Sequence, residues 1–325
     1  MHFTRFCGTS ALALVIGSAM AANAANAACG DYPAGPVTIV VPFPAGSATD
    51  TVARRVAESL RADLGQNFLV ENMPGADGTI AARHVAGASP DGQTLFITTN
   101  TTHAANPAIY NELPYDPQAD FEPVGGIMRI SYMLTINPDN PAATFDEFVE
   151  NARNSSVPLT FGSGNMGGRV SGELLNARLG INMIDVPYRG TPQGLTDLIA
   201  GRIDVFFPDP ASAAGVIDQI RVLGATGPDR IGSMPDVPTI SELGVEDYSV
   251  AAWVAAFAPA GTSGEVVSCL NSSLNEALQD QGTIEFMGTI GAEIMPTSPE
   301  GLGEFVAAEI ESWAELIEIA DIERK

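Results

Sequence analysis

Lysine is almost missing from this chain. Lys325 is the single one in 325 residues, and Lys and Arg together number 15 against 39 Asp and Glu. The formal net charge is −24. So negative a surface argues against nucleic acid or anionic membrane as a partner, since both are polyanions gripped by clustered cations. It suits a high-salt medium, where self-repulsion is screened. Histidine is scarce as well, with three residues in all. His84 sits in a helical run and His103 in a polar loop, and neither belongs to a cluster with metal-ligand spacing. No G-x-S-x-G elbow is present, which leaves hydrolase chemistry without its usual nucleophile turn. Long apolar runs are missing too. The stretch Ala11–Met20 is too short to span a bilayer and no later apolar run is long enough, so no direct insertion into a membrane is expected.

The first residues read as an export signal rather than as structure. Arg5 supplies a positive start, Ala11–Met20 an apolar stretch, and Ala22-Asn23-Ala24 and Ala25-Asn26-Ala27 are A-x-A cleavage sites. Residues 1–27 are therefore assigned to a signal peptide, and the mature chain to an exported, periplasmic protein. Cys7 leaves with the signal. Cys29 and Cys269 remain, an even count in an oxidising compartment. They stand either as two thiols or as a disulfide, because sequence carries no distance between them.

The chain is organised around Val37–Asp50 and the helical run behind it. Val37–Val41 is a β-branched apolar run, which predicts a buried strand. Pro42 and Pro44 stop its pairing, and Ala45-Gly46-Ser47 is a small turn. Thr49 or Asp50 is placed to cap the following helix, whose Val52, Val56 and Leu60 fall four apart. A strand, a small-residue turn and a helix start together aim free N–H groups and a positive dipole end at one point, suited to a carboxylate or phosphate.

Further strands are expected at Asn67–Glu71 and Thr94–Thr98, with a helix at Ile80–Ala88 between them. This βαβαβ order implies a parallel sheet with helices on both faces. Two long extended runs, Gly126–Ile136 and Tyr248–Ala258, read as crossings between two lobes. Between them lies a second α/β set. Its helices are expected at Phe145–Asn154, Val170–Leu179, Leu195–Ala200 and Ala211–Gln219, and its strands at Leu159–Phe161, Asn182–Tyr188, Asp204–Phe207 and Arg221–Ala225. Helices at Glu265–Leu278 and Gly301–Ile319 and a strand at Ala292–Met295 close the chain. The expected fold is α/β: a two-lobed clamp in which each lobe is a mixed sheet flanked by helices. Residues 28–128 and 253–325 form the first lobe and 129–252 the second.

The motifs VPFPAG with TDTVAR, VENMPGADG, SPDGQTL, LPYDPQADFEPV, LTFGSGNMGG, DVPYRGTPQ, PDVPTISELG and APAGT run in one order from Tyr32 to about Trp313. In these the chain resembles the substrate-binding proteins of tripartite tricarboxylate transporters, the Bug family. The resemblance implies a clamp of the type II periplasmic-binding-protein kind. It implies closure on a small organic carboxylate, whether a di- or tricarboxylate, an acidic amino acid or an aromatic acid. Delivery to the membrane permease subunits is implied as well, by a monomer with no enzymatic activity and no cofactor. The family's first ligand loop corresponds to Phe43, Pro44, Ala45, Gly46 and Ser47, with Asp50 at the helix start; the family usually has glycine where this chain has Ser47. The second corresponds to Ser163, Gly164, Asn165 and Gly167. Arg169 stands where the family often has histidine, and it is expected to grip a distal carboxylate in bidentate fashion. Tyr188, Arg189, Gly190 and Thr191 form the third loop, Asp209 follows the next strand, and the Asn100–His103 loop, through Thr101, completes the wall.

One alternative needs a reason for rejection. Gly162-Ser163-Gly164-Asn165-Met166-Gly167 fits G-x-G-x-x-G, with Asp185 further on, the formal dinucleotide fingerprint. A secreted enzyme or nucleotide binder using this loop is the competing reading. The signal peptide, the motif's place in the middle of the chain and the position of Asp185 short of its strand's end all oppose it. The same turn serves any small anion.

Overall fold

The computed structural model describes residues 29–325; the signal segment 1–27 lies outside them. In chain order the elements are Val37–Val41 (β1), Ala48–Leu64 (α1), Phe68–Asn72 (β2), Thr79–Ala86 (α2), Thr94–Thr99 (β3), Asn106–Ile109 (α3), Phe121–Ser131 (β4) and Met133–Ile136 (β5). The second lobe continues with Phe145–Asn154 (α4), Thr160–Ser163 (β6), Met166–Leu179 (α5), Ile184–Pro187 (β7), Thr191–Ile199 (α6), Val205–Phe206 (β8), Pro210–Ala213 (α7) and Arg221–Ala225 (β9). Ala251–Pro259 (β10), Gly264–Gln279 (α8), Gln281–Thr289 (α9), Ala292–Ile294 (β11) and Pro299–Ile319 (α10) complete the chain.

Two mixed sheets result. The first has the order β11-β4-β10-β3-β1-β2 and the second β7-β6-β8-β5-β9. β1 lies parallel to β2 and β3 and is buried throughout apart from Thr38, which is why its sequence is a continuous β-branched run. β4 and β10 pair antiparallel from Phe121–Pro259 to Ser131–Ala251 and carry the chain between lobes. Thr226 staples the two crossings. Its hydroxyl accepts from Tyr132 N–H at 2.9 Å and donates to the Val250 carbonyl at 2.6 Å, wholly buried. The expected long extended runs are therefore real, but the first breaks at Tyr132, where the chain changes sheets.

Local signals account for most helix starts, and several readings need correction; α6, for one, starts at Thr191, ahead of the expected Leu195. Ser47, not Thr49 or Asp50, caps α1, accepting from Asp50 N–H; Gly65 at φ 69° ends it. α5 starts at Met166, ahead of the expected Val170, because Asn165 caps it by accepting from Gly168 N–H. The expected helix Ala211–Gln219 is broken into α7 and a 3₁₀ turn at Ile217–Gln219. α9 was not anticipated: Asp280, in extended geometry, both ends α8 and caps α9 through Thr283 N–H. Cys29 and Cys269 are bonded, with Cα atoms 5.0 Å apart, tying the start of the described chain to α8.

Candidate functional site

The first loop is shaped from beneath by a buried carboxylate. Asp50 is 3% exposed. It accepts from Gly46 N–H at 2.9 Å and Asn72 Nδ2 at 2.9 Å and pairs with Arg54 at 2.8 Å. Asn72 also donates to the Phe43 carbonyl at 3.0 Å, so both ends of the loop hang from one pair of side chains. Gly46 takes φ +82°, a left-handed turn that glycine adopts without cost. Asp50 thus lines no part of the cleft; it fixes the backbone that does. Burial alone would raise its carboxyl, but Arg54, the Gly46 N–H and Asn72 outweigh it and hold it below the usual range. The charged form is thus favoured by folding. Its stabilisation is complete above 3.8 and fades as the pH falls below that value. Asp50→Asn should cost about 1.5–3 kcal/mol at pH 7. The deficit should shrink toward pH 3, as read by urea unfolding at both pH values; a deficit equal at both would remove the charge from this account.

Four helix N-termini meet between the lobes: α1 capped by Ser47, α5 by Asn165, α7 by Asp209, and α6, which starts at Gly190 with no side-chain cap. They surround an inner chamber of about 30 Å³, walled by Phe43, Ser47, Asn165, Thr191 and Asp209 and floored by Tyr132 and its strand neighbours. That is room for roughly one water. The lobes touch here. Ala48 N–H donates to Ser212 Oγ at 3.2 Å across the gap, and Ser212 Oγ donates to Asp209 Oδ2 at 2.9 Å. Burial pushes the Asp209 carboxyl up, against the pull of the Ser212 N–H and hydroxyl.

A wider cavity of about 620 Å³ continues outward. Ser163, Gly164, Asn165, Arg169, Tyr188 and Arg189 line it from the second lobe, and Phe43 and Thr101 from the first. Arg169 Nε lies 3.3 Å from Asp185 Oδ2, a pairing of charges without a hydrogen bond, so this buried N–H has no hydrogen-bond partner among the described residues; Asp185 Oδ1 accepts from Ser163 Oγ at 2.6 Å. The Tyr188 hydroxyl donates to Asp197 at 2.9 Å. Arg189 is exposed and makes no ion pair among the described residues. Pro44, Ala45 and Gly46 line neither space; Pro44 packs on Gly190 and Gly46 faces Pro192.

The Asn100–His103 stretch contributes only Thr101 to the cavity wall. It is a helical turn rather than a loop, and His103 is fully buried, stacked on Phe257 at 4.1 Å with Phe121 at 4.7 Å. Burial drives its imidazole down to about 3, so it is a neutral core residue. The Gly162–Gly167 stretch does form strand, turn and helix start, but Asp185 is committed to Ser163 and Arg169, and Gly167 abuts the Tyr132 ring. Thr191 of the third loop lines the chamber as expected, and the residues not anticipated at the cleft are Tyr132, Ser212, Asp77 and Lys325. Thr191-Pro192 and Asp209-Pro210 carried the signal of helix starts, with proline in the first turn; nothing local marked Tyr132 or Lys325.

Two α/β lobes joined by crossing strands and closed on a chamber of helix N-termini define a two-lobed solute-binding protein. Residues 52–322 match the model of the tripartite tricarboxylate transporter family receptor. The chain belongs to this family, the Bug family of periplasmic solute-binding proteins. A curated relative from Agrobacterium vitis, a protein of the TAR-I ttuE-ttuC′ intergenic region, is 37% identical over 88% of this chain and 84% of its own. The solved structure of R. palustris Rpa4515 with adipate is 34% identical, with TM-score 0.88, covering 91% of this chain and 100% of that one. MatC from Rhodopseudomonas palustris with bound malate is 32% identical, with TM-score 0.82, covering 88% and 100%.

Proposed function

We propose that this protein captures a small dicarboxylate in the periplasm by lobe closure and hands it to the permease of a tripartite tricarboxylate transporter. The observation that carries this reading is the convergence of three helix N-termini, those of α1, α5 and α6 from both lobes, on one small chamber. In a chain of net charge −24, local N–H donors must overcome an unfavourable long-range field. Oriented backbone groups do so in a dry site, where a carboxylate without donors would be strongly disfavoured. Asp209 at the same chamber suits a ligand hydroxyl or a protonated partner. Because each lobe holds part of the ligand, binding favours the closed form. The adipate and malate of the two relatives support the substrate class, and the export signal supports the compartment.

The test is thermal melting of the mature protein with succinate, malate, adipate, citrate, aspartate, benzoate and nicotinamide nucleotides. A ligand at a hundred times its Kd adds about 2.7 kcal/mol, worth roughly 4–5 °C for a chain of this size. A shift with dicarboxylates and none with nucleotides is expected. A shift with nucleotides alone would overturn the reading and restore the Gly162–Gly167 turn to first place.

A further inference from the structure

The outer cavity has a charge unlike the rest of the molecule. Arg169, Arg189 and Lys325 line it against Asp77 and Asp185. Three cationic side chains thus meet two carboxylate side chains at this space in a chain of net charge −24, and the group includes the only lysine. The wiring separates these cations. Arg169 has its charge balanced within its own lobe by Asp185, which is itself held by Ser163, although its Nε–H makes no hydrogen bond among the described residues. Lys325 is fastened by its main chain: its N–H donates to the Ile109 carbonyl at 2.8 Å and its carbonyl accepts from Asn111 N–H at 2.9 Å. The ammonium then reaches Asp77 and lies 4.8 Å above the Tyr110 ring. Asp77 has a second donor, the Tyr110 hydroxyl at 3.0 Å, so its charge is not satisfied by Lys325 alone. Arg189 has no carboxylate partner among the described residues and sits beside Gly190, where the lobes touch.

We propose that Lys325 and Arg189, one from each lobe, form the subsite for the second carboxylate of the ligand, and that they select dicarboxylates over monocarboxylates. This rests on the carboxylate-capture reading above and names its specificity-determining pair. The Lys325 ammonium has three N–H donors on a compact centre and can keep Asp77 while donating to a ligand oxygen; the Arg189 fork can take a carboxylate side-on. Since the two cations belong to opposite lobes, an anion bridging them rewards closure, whereas a monocarboxylate held in the inner chamber leaves them unused. The distal role thus falls on Arg189 and Lys325, and Arg169 becomes the residue that neutralises Asp185 at the cavity wall.

The experiment is calorimetry with two matched pairs, adipate with hexanoate and succinate with butyrate. Wild type is compared with Lys325→Met, Lys325→Arg, Arg189→Gln and Arg169→Gln, the melting temperature of each variant being checked without ligand. Wild type should bind one of the dicarboxylates at least tenfold tighter than its monocarboxylate partner. Lys325→Met and Arg189→Gln should each weaken that dicarboxylate about tenfold or more and leave the monocarboxylate within twofold, while Lys325→Arg retains most of the affinity. Equal loss for both members of a pair, no loss in either variant, or selective loss in Arg169→Gln alone would overturn the assignment. Wild type that binds mono- and dicarboxylates equally overturns it while leaving carboxylate capture intact; wild type that binds none of the four overturns both.

Discussion

Gly190→Val should weaken ligand binding about ten- to a hundredfold while leaving the melting temperature of the ligand-free protein unchanged within about 1 °C. Gly190 has φ 173°, extended backbone that valine adopts freely. A Cβ there meets the Pro44 ring of the other lobe first, its Cδ at 2.8 Å, with Pro192 Cδ of its own lobe at 3.9 Å. Pro44 cannot swing aside, because its ring is closed on its own backbone. Overpacking of this kind costs about 1–3 kcal/mol. The Pro44 clash falls on the closed arrangement, since separating the lobes removes Pro44 from the neighbourhood. Calorimetry with adipate measures the affinity, and small-angle scattering at saturating ligand reads the closure. A variant that melts lower without ligand would mean that the Pro44–Gly190 contact belongs to the resting fold. A variant that binds as wild type would mean that ligand capture does not need this contact.

Replacing both Cys29 and Cys269 with Ala should lower stability by about 3–5 kcal/mol. The bridge closes a loop of sequence separation 240, and closing so long a loop removes much of the unfolded chain's freedom. For a chain of this size the melting temperature should drop by roughly 5–8 °C. Affinity for ligand should not change, since neither cysteine lines the chamber or the cavity. Melting curves with and without reductant, on wild type and variant, check this. If reductant leaves wild type unchanged and the variant melts with it, packing of the first residues holds that end of the chain. Tyr32, whose hydroxyl donates to the Gly92 carbonyl at 2.8 Å, would then be the place to look.

The readings that succeeded depend on short-range physics. β1 is legible because a strand buried on both faces must be apolar along its length. α4 is legible because Thr144 caps it and accepts from Glu147 N–H, three residues away. The lobe crossings are legible because long extended runs mark them, although the first is interrupted at Tyr132, where the chain passes from one sheet to the other. The failures have equally local reasons. Ser47, Thr49 and Asp50 are all competent caps, and which of them wins depends on Asn72 drawing Asp50 under the loop. α9 was missed because a two-sided Asp280 looks like the end of one helix rather than the start of another.

Sequence by itself determined the family, the two-lobed α/β plan and the loops that meet in the cleft, because motifs in fixed order and caps within a turn are properties of neighbours along the chain. Tertiary structure alone decided which charges are free to act. Lys325 lies 248 residues from Asp77, and Arg169 meets Asp185 only because β6 and β7 run side by side with Phe161 opposite Asp185. His103 looks like a loop residue until three phenylalanine rings close around it. Charge pairing and burial fall off over a few ångströms of space, and space between distant residues is set by the packing of the whole fold rather than by position along the chain.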